Sequence, residues 1–162
     1  MQTVQLETRI AAPAMRCFLL SLSIDLHIAS TAITGERAVG GVTTGLIRNG
    51  ESVTWRGRHF GLMMQHTSRI TRYEPPIFFQ DVMTSGRFKS FEHDHRFREE
   101  NRETRMKDEL RFSAPLGALG LMVERLVLRK YLAHFLLERN KFLKLVAESD
   151  QWRQYLPETQ AL

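Results

Sequence analysis

The chain has 162 residues, 43% of them hydrophobic and 25% charged, the balance of one soluble domain with a substantial core. Its net charge of +5 would suit nucleic acid. However, the arginines are spread over nearly every segment and alternate with acids instead of gathering between aromatics, so no nucleic-acid partner is expected. The single cysteine, Cys17, excludes an internal disulfide and a multi-cysteine metal site. No basic-then-apolar leader follows Met1, and the expected compartment is the cytoplasm.

Residues 3–10 alternate, with Val4, Leu6 and Ile10 on one side and Gln5, Glu7 and Arg9 on the other, as in a half-buried strand. Ala11-Ala12-Pro13 opens a short helix that runs to about Leu22, since proline is tolerated in a first turn. Ser23 is placed to cap a second short helix, IDLHIAS. Strands alone follow these two helices until the C-terminal region, so the first strand must pair with a later one.

A strand is expected over 33–39, then a loop carrying Gly40-Gly41 and Asn49-Gly50. In 51–60, Val53, Trp55 and His59 face one way and Ser52, Thr54, Arg56 and Arg58 the other. Gly57 falls on the apolar parity, where a missing side chain permits a bend. In the next strand, Met64, His66, Ser68 and Ile70 form the inner set, and Glu74-Pro75-Pro76 ends it. IFFQDVM is apolar on both parities, which leaves open whether Gln80 or Asp81 faces inward.

Two further strands are better determined. Phe91, His93, His95 and Phe97 alternate with Glu92, Asp94, Arg96 and Arg98. Thr104, Met106, Asp108, Leu110 and Phe112 alternate with charged residues. One face is therefore inside and the other in solvent. A tight turn at Glu100-Asn101 places His93 opposite Asp108, and a shift of two residues places His95 or Phe91 there instead. In every register an acid sits near a histidine on the concave face.

After Pro115, Gly117 and Gly120 the pattern becomes helical to about Glu148. A helix of roughly 30 residues spans about 45 Å. Its stripe runs through Leu121, Leu128, Leu132, Phe135, Phe142 and Val146, interrupted by Arg125 and Arg139. Glu124, Arg125, Arg129, Lys130 and His134 break it too often for a membrane span, although transient contact with a membrane surface fits its composition. Together these features predict an α+β domain over 1–150, a curved antiparallel sheet wrapped around one long C-terminal helix, with a tail over 151–162.

This order, with the segments ESVTWRGRHF, PPIFFQDVM, GRFKSFEHDH and TRMKDELRF, resembles the START-like (SRPBCC) superfamily. That superfamily includes polyketide cyclase/dehydrase and lipid-transport families, coenzyme Q-binding proteins and the birch-pollen allergen. The resemblance covers about Val4 to Glu148. It implies a helix-grip fold, in which a seven-stranded antiparallel sheet bends around the last helix and leaves a ligand cavity, with two short helices between the first two strands. It implies no activity, because carriers, sensors and enzymes share the scaffold.

The expected inner face carries His59, His66, His93, His95 and Asp108 among Trp55, Phe91, Phe97, Met106 and Phe135, with His27 and Arg139 nearby. Burying such groups unpaired would cost about 1–3 kcal/mol each. They are paired, hydrated or kept for a ligand. Trp55, His59, His66, Phe91, His93, His95, Met106, Asp108, Phe135 and Arg139 are the expected lining for a small apolar ligand. A structural alternative makes His93 and Asp108 a satisfied cross-strand pair that fixes register.

A catalytic alternative uses His93 or His95 as general base, held in one tautomer by Asp108, to assist aldol cyclisation or dehydration. No cofactor or metal is expected: His93-x-His95, completed by Asp108 or His59, is a weak signal that any strand with two inward histidines produces. Cys17 reads as packing, and Arg139 either snorkels past the sheet edge, the favoured reading, or meets an acidic ligand or Asp81.

Overall fold

The structure is a computed structural model that describes residues 1–115 and 122–156. The expected helix start, with Gly117, Gly120 and Leu121, and the end of the tail lie outside the described residues. Strand β1 (Gln2–Ile10) is followed by helices α1 (Ala14–Ser21) and α2 (Ile24–Ser30). Six strands come next: β2 (Arg37–Gly41), β3 (Ser52–His59), β4 (Leu62–Glu74), β5 (Phe78–Ser85), β6 (Ser90–Glu100) and β7 (Glu103–Ser113). A π-helical turn (Glu124–Leu128) leads into α3 (Arg129–Ala147), and a 3-10 turn (Asp150–Gln154) closes the described chain.

All seven strands form one antiparallel sheet in the order β1-β7-β6-β5-β4-β3-β2. The first strand thus pairs with the last, Leu6 facing Asp108 and Ile10 facing Thr104. Ser23 caps α2 as its position requires, its hydroxyl accepting from the Leu26 amide at 3.2 Å. No helix among the described residues is long and apolar enough to cross a membrane.

Two local expectations are corrected. The strand expected over 33–39 begins only at Arg37, because the backbone first makes a turn in which the Gly35 amide donates to Thr31. Gly35 supplies the positive φ of 61° that a side chain disfavours, and Ile33 is left 92% exposed. The β6–β7 hairpin turns at Asn101-Arg102 instead of Glu100-Asn101, both residues with positive φ. Such turns match the right-handed twist of the strands they join. The resulting register sets His95 opposite Asp108 and His93 opposite Leu110.

The buried stripe of α3 runs through Leu132, Leu136, Arg139, Asn140, Leu143, Val146 and Ala147, with Phe135 and Phe142 half-buried at its border. Its C-terminal half joins α1, α2 and the sheet in the larger apolar cluster, where Phe18 packs edge-on against Tyr73, Phe79 and Phe97 at 5.3–5.6 Å. Trp152 and Leu156, from the segment read as a tail, are buried in this cluster. A smaller cluster joins Leu132 and Leu136 to Val4, Leu110 and Phe112. Residues of both clusters line a space enclosed between sheet and helix.

Candidate functional site

That space is a cavity of about 190 Å³, walled by apolar residues that include Ile70, Phe79, Leu110 and Leu132. Polar side chains enter it in two groups.

The first group sits on β5, β6 and β7. Asp108 is fully enclosed behind two imidazoles, its Oδ1 accepting from His93 Nε2 at 3.0 Å and lying 2.9 Å from His95 Nδ1. The His95 contact lies off the hydrogen-bond axis, and among the described residues Nδ1 has no aligned partner. The other nitrogen of each ring turns toward Asp81 Oδ2, at 3.2 Å from His95 Nε2 and 3.9 Å from His93 Nδ1. Asn140 of α3 donates to Asp108 Oδ2 at 2.7 Å, which fixes the carboxylate from the helix side.

Burial alone would raise both carboxylate pKa values, but the histidine hydrogen bonds overcome it. Asp108 is held well below the usual carboxylate range and Asp81 is lowered too. The two imidazoles diverge. Burial opposes charge on His95, yet Asp108 and Asp81 on either side outweigh it and its pKa is raised. Burial and the neighbouring His95 lower that of His93.

The second group is built around Glu36, which is buried although it directly precedes an edge strand. Its carboxylate accepts from His27 Nε2 at 2.7 Å and His59 Nε2 at 3.0 Å. These bonds overcome its desolvation and hold it far below the ordinary glutamate range. The other ring nitrogen of His59, Nδ1, shares a hydrogen bond with the Tyr131 hydroxyl at 2.6 Å. His27 stacks on Trp55 with centroids 4.0 Å apart. The chain can approach this closely because β3 has no side chain at Gly57, where a Cβ would lie 2.6 Å from Glu36 Cγ.

The sequence matches no family model and no curated protein, but solved structures match its fold. Protein TTHA0849 from Thermus thermophilus is 16% identical with TM-score 0.71, over 91% of this chain and 100% of that one. Ginseng major latex-like protein 151 from Panax ginseng is 14% identical with TM-score 0.66, over 96% and 98%. A START superfamily protein from Mycobacterium smegmatis is 13% identical with TM-score 0.67, over 90% and 97%. The chain has the START-like helix-grip fold.

Within this fold, Trp55, His59, His66, Phe91, His93, His95, Phe135 and Arg139 line the cavity. Met106 and Asp108 do not: Met106 is buried in the larger core, and Asp108 stands behind the two imidazoles. Arg139 is a correction. It stays within the core, 7% exposed, with Nη2 donating to the Ser21 carbonyl at 3.2 Å and Nη1 without a partner among the described residues. Asp81 faces inward while Gln80 pairs with Asp94 on the outer face. Glu36 was not signalled by its own surroundings in the sequence, and only Gly57, on the inward parity of the facing strand, hints at a group needing room. Cys17 is packing: fully buried, its thiol is pushed up to about 11 by desolvation.

Proposed function

We propose that the chain binds a small, mostly apolar molecule bearing one or two polar groups in the cavity between the curved sheet and α3. The observation that carries this reading is Arg139 Nη1, a buried guanidinium donor that meets no acceptor among the described residues, on a residue that lines a mostly apolar cavity. A buried N–H left unmet costs about 1–3 kcal/mol, and a carbonyl, hydroxyl or carboxylate oxygen of a ligand would meet it.

The volume of about 190 Å³ is below the roughly 300–1,000 Å³ of common ligand sites. It favours a compact isoprenoid, an aromatic polyketide fragment or the end of a fatty-acid derivative over a whole two-chain lipid. On this reading the protein works in the cytoplasm. Met122, Leu126 and Val127, exposed beside Arg125, Arg129 and Lys130, suit transient contact with a membrane surface during loading.

A second reading, a cyclase or dehydratase, is favoured by the His93 tautomer. With Nε2–H donated to Asp108, Nδ1 carries the lone pair beside the cavity, the posture of a general base that could take a proton next to a ligand carbonyl.

Native mass spectrometry of protein purified without denaturation tests the leading reading. A non-covalent adduct that is displaced on unfolding is expected. An adduct-free spectrum, with no small molecule taken up from a mixed isoprenoid and aromatic acid set, would point to a module whose pocket serves packing alone. If the adduct is chemically altered on incubation, and His93→Ala retains the adduct but stops the change, the enzyme reading replaces the carrier.

A further inference from the structure

The arrangement of nitrogens and oxygens around Asp108 has a second implication, independent of any apolar ligand. Each imidazole on β6 divides its two nitrogens the same way: one approaches the buried Asp108, the other approaches Asp81 at the cavity. Asp81 Oδ2, His93 Nδ1 and His95 Nε2 thus converge, and the three residues offer donor atoms all within 4.8 Å of one another.

We propose that Asp81, His93 and His95 form a binding site for a first-row divalent cation of the zinc class, opening into the cavity. Two donors held at about 2.0–2.1 Å from a tetrahedral ion lie roughly 3.3 Å apart. The Asp81 oxygen is 3.2 Å and 3.9 Å from the two histidine nitrogens, and all three donors lie within 4.8 Å of one another, so the set is near that spacing and would contract onto the ion.

The surroundings have what such a site needs. Metal-bound histidines commonly give their remaining N–H to a carboxylate, which sets ring orientation and tautomer. Asp108 accepts in that way from His93 Nε2 and lies 2.9 Å from His95 Nδ1 without an aligned bond, and Asn140 fixes it in turn at 2.7 Å. A dication also balances the Asp81 and Asp108 carboxylates with both imidazoles neutral. Asp81, His93 and His95 line the cavity whereas Asp108 does not, so a fourth position would face the cavity, as in three-ligand sites that bind water or substrate. Two histidines and one carboxylate suit zinc and ferrous iron better than calcium or magnesium, which prefer all-oxygen sets.

Calorimetric titration of Zn²⁺ into chelator-treated full-length protein tests the site, with Co²⁺ absorption reporting ligand geometry. One equivalent is expected to bind. Asp81→Asn should weaken binding by more than about 100-fold, and Asp108→Asn by about 10–100-fold, as for an outer carboxylate. His134→Ala, a change at an exposed residue outside the cluster, should leave it unaltered. Circular dichroism verifies folding, and His93→Gln replaces Asp81→Asn if the latter unfolds. Absence of stoichiometric binding by folded wild type, or wild-type affinity in the folded Asp81 and His93 variants, would overturn the assignment.

Discussion

Asn140 on the terminal helix donates to Oδ2 of Asp108 on β7 at 2.7 Å, joining helix and sheet through a carboxylate that has no solvent contact of its own. The same amide reaches Thr8 Oγ1 of β1 at 3.2 Å. One side chain of α3 therefore fastens two neighbouring strands beneath it.

Asn140→Ala removes the donor and leaves Asp108 with its imidazole partners alone. A buried acceptor deprived of a partner costs about 1–3 kcal/mol. The urea midpoint should fall accordingly with an unchanged slope, and a midpoint within error of wild type would mean that the link is energetically idle.

Acid sensitivity should be traceable to Glu36. Its folded pKa lies below the ordinary value of 4.5 because His27 and His59 donate to it, against the opposing effect of burial. A depressed carboxylate contributes stability that is complete above its unfolded pKa and is lost as pH falls through the folded one. Glu36→Gln should therefore flatten the loss of stability below about pH 4.5 while lowering stability at neutral pH. Parallel stability-versus-pH curves for the two proteins would contradict this role.

The room for Glu36 is itself a prediction about Gly57. A methyl group there would meet Glu36 Cγ at 2.6 Å and His59 Nε2 at 3.4 Å, so Gly57→Ala must push the carboxylate off its partners. Overpacking of this kind costs about 1–3 kcal/mol, to be read as a lowered thermal midpoint. Gly57→Ala in the Glu36→Gln background should cost less, since the displaced bonds are already weakened.

These two residues also show where sequence reading ends. Alternation located His93, His95 and Asp108 on one face because each lies in a strand whose other parity is charged. Asp81 could not be assigned that way. Phe78, on the outer face, is covered by Arg72 and Arg96 guanidiniums at 4.6 Å each, so β5 is apolar on both parities and no pattern distinguishes inside from outside. Glu36 follows a turn and looks like a surface acid until β3 and α2 supply its histidines. Alternation left the hairpin register open by two residues, because Asn101 signals a positive φ and Arg102 does not. Arginine at a helix border usually snorkels, whereas position 139 lies centrally on the buried stripe.

Arg139→Met should separate binding from stability. The change removes an incompletely paired buried cation, so the fold is expected to be as stable or more so. Affinity for an acceptor-bearing ligand should drop by about 10–100-fold, the worth of a hydrogen bond to a charged group. Calorimetry with naphthalene carboxylate, alongside thermal melting, reads both; unchanged affinity would remove Arg139 from the account.

The most direct trial of a cavity that takes an apolar guest is the same titration comparing wild type with Leu132→Trp, which fills the space from the α3 side and whose folding is verified by circular dichroism. The account predicts one equivalent of naphthalene carboxylate bound by wild type and none by the filled variant. Equal binding by both would place the guest on the outer surface, and no binding by wild type would leave the hollow without the role assigned to it.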